Sequence, residues 1–401
     1  MEEIEREIRS KLSGLERRIE VESSRRWAIH KCQRDIEKLR QELANSSHWT
    51  CVSPHPTESK RLIPRRGLPS YPKYTLSLET IKALKRPTFN LWQWAPNEML
   101  SCIEYMFHDL GLVHEFSIDG VTLKRWLLSV QGNYRDNPFH NWRHSFCVTQ
   151  MMHGMIHLCR LQDHLSPTEN LILMIAAVCH DLDHPGLDNT YQVNARTDLA
   201  LRYGNHSPLE RHHCAVTLEL LSRDETNILS AMEPGASDEI QKGVMELILA
   251  TDMARHVQIM ASFSQCVEIF DFQNLKHLRL LEQVLIKCCD TSNEVRPPQI
   301  SEPWLDFLLQ EYFMQAVREK MEGLPVSPHM DPEKVSKSGS QVVFLTSVLI
   351  PMFESLTQIF PQLEATMVHP LRGARDHYRH LEVEEARRLL SSTPSEGTVA
   401  V

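Results

Sequence analysis

Glycine is scarce in this 401-residue sequence, at 14 residues, and no stretch alternates β-branched with polar side chains. Both absences argue against sheets. The ten cysteines, at positions 32, 51, 102, 147, 159, 179, 214, 266, 288 and 289, include no C-x-x-C pair. Most fall in apolar helical patterns, so reduced, buried thiols in a cytoplasmic protein are expected rather than disulfides. Long apolar runs are missing too. The longest, Leu171–Cys179, has nine residues, against the ~20 that span a bilayer, so no transmembrane segment is expected. Met1-Glu2-Glu3 is acidic, where a secretory leader starts basic and turns apolar. No basic stripe appears, and the net charge is −9. No nucleic-acid partner is expected on that ground. A small anionic substrate stays open, because a bound dication reverses the local potential.

What is present is helical periodicity. Ile4, Ile8, Leu12, Leu15 and Ile19, then Cys32, Ile36, Leu39 and Leu43, step by three and four. This narrow seam over residues 1–45 fits an N-terminal coiled coil and hence a homodimer, or a single solvated helix. Residues 46–75 read as a Pro-rich linker, with Pro54, Pro56, Pro64, Pro69 and Pro72 blocking regular structure. Residues 76–390 form the main domain, all-α and built of many short helices. Its apolar helical patterns include 168–179, 239–250, 275–289 and 304–317. Residues 391–401 are small and polar and read as a disordered tail.

The chemistry concentrates where helices end. His180-Asp181-Leu182-Asp183-His184 follows the apolar run directly. Imidazole and carboxylate side by side suit first-row dications, but one such pair cannot fill a coordination sphere. His140 and His144 stand four apart, which puts them on one face of a helix, and Pro138 sits where a helix would start. A second apolar helix ends at Asp290. Further polar ends occur at Glu210-Arg211-His212-His213 and Thr251-Asp252. Each is bland singly; four such ends in one all-α domain imply a shared polar centre.

In order along the chain come His140-Asn141-x-x-His144, His180-Asp181-x-x-His184, Glu210-x-His212-His213, Thr251-Asp252, Asp290-x-Ser292-Asn293 and Gln341-x-x-Phe344. This set, spanning roughly 76–385, resembles the catalytic domain of class I 3′,5′-cyclic nucleotide phosphodiesterases, within the His–Asp metal phosphohydrolase superfamily. The stretches 137–141, 248–256 and 293–297 are most similar to its cGMP-specific type 9 branch. By that resemblance, His144, His180, Asp181 and Asp290 bind the tighter ion, zinc. Asp181 bridges to a second ion, magnesium or manganese, whose waters are held by His184, Glu210 and Thr251. The implied reaction is two-metal hydrolysis of a cyclic nucleotide, cGMP to 5′-GMP, which ends cyclic-nucleotide signalling. His140 is implied as the general acid for the O3′ leaving group, oriented by Glu311. Gln341 is implied to hold the purine, since a side-chain amide both donates and accepts. Phe344 would stack on the base, with Asn293, Leu308, Tyr312 and Met253 lining the rest of the pocket.

Three positions depart from the family pattern. Ser145, Thr291 and Ser340 stand where relatives commonly carry other residues, and Thr291 leaves the pocket shape open. The base preference rests on overall similarity, because Gln341 can pair with either purine edge, so dual cAMP and cGMP specificity stays open. The residues also admit a different nucleotide phosphohydrolase of the same superfamily, or a non-catalytic scaffold that uses residues 2–45.

Overall fold

The structure, a computed structural model, describes Tyr71 and residues 74–392. The seam of residues 2–45, Cys32, Cys51, nearly all of the linker span and the tail beyond Ser392 lie outside the described residues. Two details differ from the expected boundaries. Tyr71, inside the span read as linker, is buried, and its hydroxyl donates to Glu104 at 2.6 Å. At the other end the last helix continues to Ser392.

Among the described residues there is no strand. In chain order the helices include α1 (Leu78–Leu84), α2 (Pro96–Asp109), α3 (Trp142–Leu158), α4 (Pro167–Cys179) and α5 (Pro208–Leu221). After them come α6 (Pro234–Thr251), α7 (Leu275–Asp290), α8 (Pro298–Glu322), α9 (Lys337–Phe344) and α10 (His369–Ser392). Further helices, among them Gly120–Asn133 and His256–Cys266, and turns link them.

The central element is α4. Ser166 caps it by accepting from the Glu169 amide at 3.2 Å, while the Glu169 carboxylate accepts from the Ser166 amide at 2.6 Å. This reciprocal pair, with Pro167 in the first turn, starts the helix where the hydrophobic run begins. Every residue from Leu171 to Cys179 is then fully buried. A side chain of that kind contributes ~1.5–3 kcal/mol on burial, so α4 sits at the centre of the domain. It packs against α3, α6 and α7. The contact with α6 is close because Gly243 faces Ile172, and a Cβ there would lie 2.6 Å from the Ile172 Cδ1. Both α4 and α7 are buried up to their C-terminal ends, and it is there that their polar residues emerge.

All eight described cysteines are free and buried. Lys337–Thr357 is one continuous helical stretch, and by length and composition it alone among the described helices could cross a membrane. Leu345, Leu349, Met352 and Phe353 of that stretch lie in the core, and Gln341 lines a cavity beside α7. It is a core helix of the domain.

Candidate active site

The first turn of α3 is set by Asn141. Its side-chain oxygen accepts from the amides of Arg143 and His144 at 2.9 and 3.2 Å. Its side-chain nitrogen donates back to the carbonyls of Asn137 and Pro138. The helix therefore begins at Trp142, and His140 lies in the bend before it. The shared helical face expected for His140 and His144 does not exist. The two rings still come within 5.8 Å, because the capped bend folds His140 back over the helix start.

His144 from the start of α3, His180 and Asp181 from the end of α4, and Asp290, the last residue of α7, converge on one point. The atoms involved are Nε2 of both histidines, Oδ2 of Asp181 and Oδ1 of Asp290. Five of their six separations are 3.0–3.4 Å. Corners at that spacing have a centre about 2 Å away from each, the bond length of zinc to imidazole or carboxylate. The His180 Nδ1–H donates to the Ala177 carbonyl at 3.0 Å, which turns Nε2 inward toward the other three donor atoms. Burial works against charge on His180, but Asp181 and Asp290 outweigh it and lift its pKa well above the usual imidazole range. Burial likewise raises both carboxyls, and His180 more than offsets it, so both stay ionised. The donor set thus fits a divalent metal.

Asp181 has a second face. Its Oδ1 looks toward the Nε2 of His213 at 3.8 Å, beyond direct hydrogen-bond range. His213 gives its Nδ1–H to the Leu182 carbonyl at 2.6 Å. Burial lowers its pKa to about 4, so it is neutral near pH 7. Sequence reasoning assigns His213 no role, although the His212-His213 doublet is visible. Adjacent positions on α5 point apart, and only the packing shows which one faces Asp181. His212 instead binds Asp183 at 2.9 Å, and Arg135 binds the same carboxylate at 2.7 Å. Asp183 is thereby occupied on both oxygens and stands outside the donor set.

His184, Glu210 and Thr251 are all buried, and the first two lie close enough to Asp181 to feel its charge. Glu210 accepts from the Asn189 side chain at 2.9 Å. Burial and the nearby Asp252 raise its pKa to about 7. Thr251 donates to the Ile248 carbonyl at the end of α6. His184 stacks on His140 with ring centres 4.0 Å apart. Asn137 ties the two loops together by donating to the carbonyls of His140 and His184, at 2.8 and 2.7 Å. Its positioning role carries no sequence signal beyond a turn-forming Asn-Pro.

His140 and Glu311 form the other half of the site. The imidazole Nδ1 meets Glu311 Oε1 at 2.5 Å. The second carboxylate oxygen accepts from the backbone amides of Phe139 and His140 at 2.9 and 3.1 Å. Burial opposes protonation of His140, yet Glu311 outweighs it and lifts the pKa to about 9. Burial raises the Glu311 carboxyl in turn, and His140 brings it down to about 2. The result is an imidazolium held by one ring nitrogen, with the other free to donate.

A cavity of about 200 Å³ joins these groups. His140 and Asp290 line it, together with Gln341, Phe344, Asn293, Leu308, Tyr312 and Met253. The Gln341 amide oxygen is buried without a hydrogen-bond partner, so it is available to a ligand. A larger cavity of about 670 Å³ lies against Arg296 and Tyr378. None of the metal donors lines it, so the smaller cavity carries the chemistry.

Residues 139–370, more than half of the chain, match the family described as 3′5′-cyclic nucleotide phosphodiesterase. Among curated proteins, the high affinity cGMP-specific 3′,5′-cyclic phosphodiesterase 9A of Mus musculus is 55% identical over 382 residues. That match covers 95% of this chain and 72% of the mouse protein. The Homo sapiens protein of the same name is 55% identical over 392 residues, covering 97% of this chain and 66% of its own length. Among solved structures, the phosphodiesterase domain of a rhodopsin fusion protein from the choanoflagellate Salpingoeca rosetta superimposes with a TM-score of 0.73 at 26% identity. That match covers 76% of this chain and 97% of that one. The all-α fold, the convergent His–Asp donors and these matches agree, and the chain belongs to the 3′,5′-cyclic nucleotide phosphodiesterase family.

Proposed function

We propose that this protein hydrolyses cGMP to 5′-GMP and so ends a cyclic-nucleotide signal. The observation that carries the proposal is a cavity lined by His140, of the His140–Glu311 pair, and by Asp290, of the four-donor His–Asp cluster, together with Gln341 and Phe344. The preference for cGMP draws on the similarity to proteins named for that specificity.

His144, His180, Asp181 and Asp290 would hold a zinc ion. Asp181 would share a second ion, magnesium or manganese, with waters ordered by His184, Glu210 and Thr251. When bound, such an ion pair lowers the pKa of a water and takes up charge on the phosphoryl oxygens. Hydrolysis puts the water oxygen on phosphorus and breaks the P–O3′ bond, and the O3′ alkoxide then needs a proton. His140 supplies it from Nε2, while Glu311 at Nδ1 keeps the ring charged and aimed; such assistance is worth ~10²–10⁴-fold. Gln341 pairs with the purine edge, and Phe344 packs on its face. The eight free thiols among the described residues support a reducing compartment, the cytoplasm.

The test is kcat/KM for cGMP and for cAMP, measured on protein loaded with zinc and magnesium. A clear preference for cGMP is expected. Inert cyclic nucleotides together with a cleaved linear nucleoside phosphate would overturn the reading.

A further inference from the structure

A second convergence of donors lies at the opposite end of α3 from His144. His153 and His157, one turn apart, both direct Nε2 at the same oxygen of Asp109, the last residue of α2. The distances to Asp109 Oδ2 are 3.0 and 2.7 Å. The other oxygen, Oδ1, accepts from the Tyr105 hydroxyl at 2.8 Å. Lys85 reaches both oxygens, at 2.9 and 3.1 Å.

His153 is fully buried. Its Nε2 faces the Asp109 carboxylate, and its Nδ1 lies 3.4 Å from the Leu84 carbonyl oxygen, which also accepts from Gln150 Nε2 at 2.9 Å. Ligand atoms of His153, His157 and Asp109 all lie within 4.8 Å of one another. A cation placed among them would face both Nε2 atoms and the carboxylate, with the outer nitrogen of His153 turned to a backbone carbonyl, as is usual for a metal-bound histidine.

We propose that His153, His157 and Asp109 bind a first-row transition dication, zinc in the first instance, at a site separate from the catalytic metals. Two imidazoles and one carboxylate form the donor set that zinc and cobalt accept and that magnesium and calcium do not. His157 and Lys85 are partly exposed at this point, so the ion has an entry path and a place for a water ligand. Lys85 is its competitor: the ammonium neutralises the same carboxylate and must swing outward as the ion enters. The ion would tie the C-terminal end of α3 to that of α2, and through His153 to the end of α1. It acts as a clamp on the fold rather than on the reaction.

The test is cobalt binding to the full chain after chelation, read by bound metal per chain and by visible absorption. His157→Ala should bind one ion fewer than the parent and lose the part of the spectrum due to this site, with phosphodiesterase activity unchanged. Lys85→Met should bind the additional ion more tightly than the parent, because the competing ammonium is gone. His153 is avoided as a variant because it is fully buried. Equal stoichiometry in the parent and in folded His157→Ala would overturn the proposal, and so would a Lys85→Met protein with no gain in affinity.

Discussion

His140 and Glu311 set how the site responds to pH. The His140 pKa, lifted to about 9, keeps the ring charged and able to donate at neutral pH. Activity should therefore fall as pH rises through the alkaline range. Glu311→Gln removes the carboxylate that holds the proton, so the alkaline limb of kcat/KM against pH should move to lower pH. An unmoved limb would rule Glu311 out as the cause. His140→Ala should lower turnover by ~10²–10⁴-fold with bound metal retained, whereas Asp290→Ala should lose metal as well as activity. Metal analysis beside the rate assay separates the two. At this scale the sequence was legible where a motif ended a helix, as with His180, Asp181 and Asp290. It was not legible where two neighbouring histidines split their roles, or where Asn137 served by bridging two loops.

At the scale of elements, two junctions hold the site. The start of α3 hangs on one amide. Asn141→Ala leaves the amides of Arg143 and His144 without their acceptor, at a cost of about 1 kcal/mol. His144 moves with that turn, so metal affinity should drop together with the denaturation midpoint. The α4–α6 contact depends on the absence of a side chain at Gly243. In Gly243→Ala the new methyl meets Ile172, and overpacking of this kind costs ~1–3 kcal/mol. That exceeds the ~0.5–1 kcal/mol an alanine gains in a helix, so urea denaturation should show net destabilisation. The sequence marked the helices well, since periodicity and caps are local. It placed the start of α3 too early, because a capping asparagine takes its partners from either side and only the folded bend shows which.

At the scale of the whole molecule, the four donors come from three helices distant in sequence. Filling that point with metal links folding to binding, and a ligand at 1,000 times its dissociation constant adds about 4 kcal/mol. Chelation should therefore lower the thermal midpoint of the parent, and should do so far less in Asp290→Ala. By itself the sequence determined the all-α class, the family and the residue types gathered at helix ends. The class and the helix ends follow from periodicity and spacing, which a linear text records, and the family follows from resemblance to known sequences. Only the tertiary structure decided that Asp183 pairs with Arg135 and His212, that His213 faces Asp181, and that His153, His157 and Asp109 share one oxygen. Those outcomes depend on which side chains meet across separate helices, and packing alone fixes that.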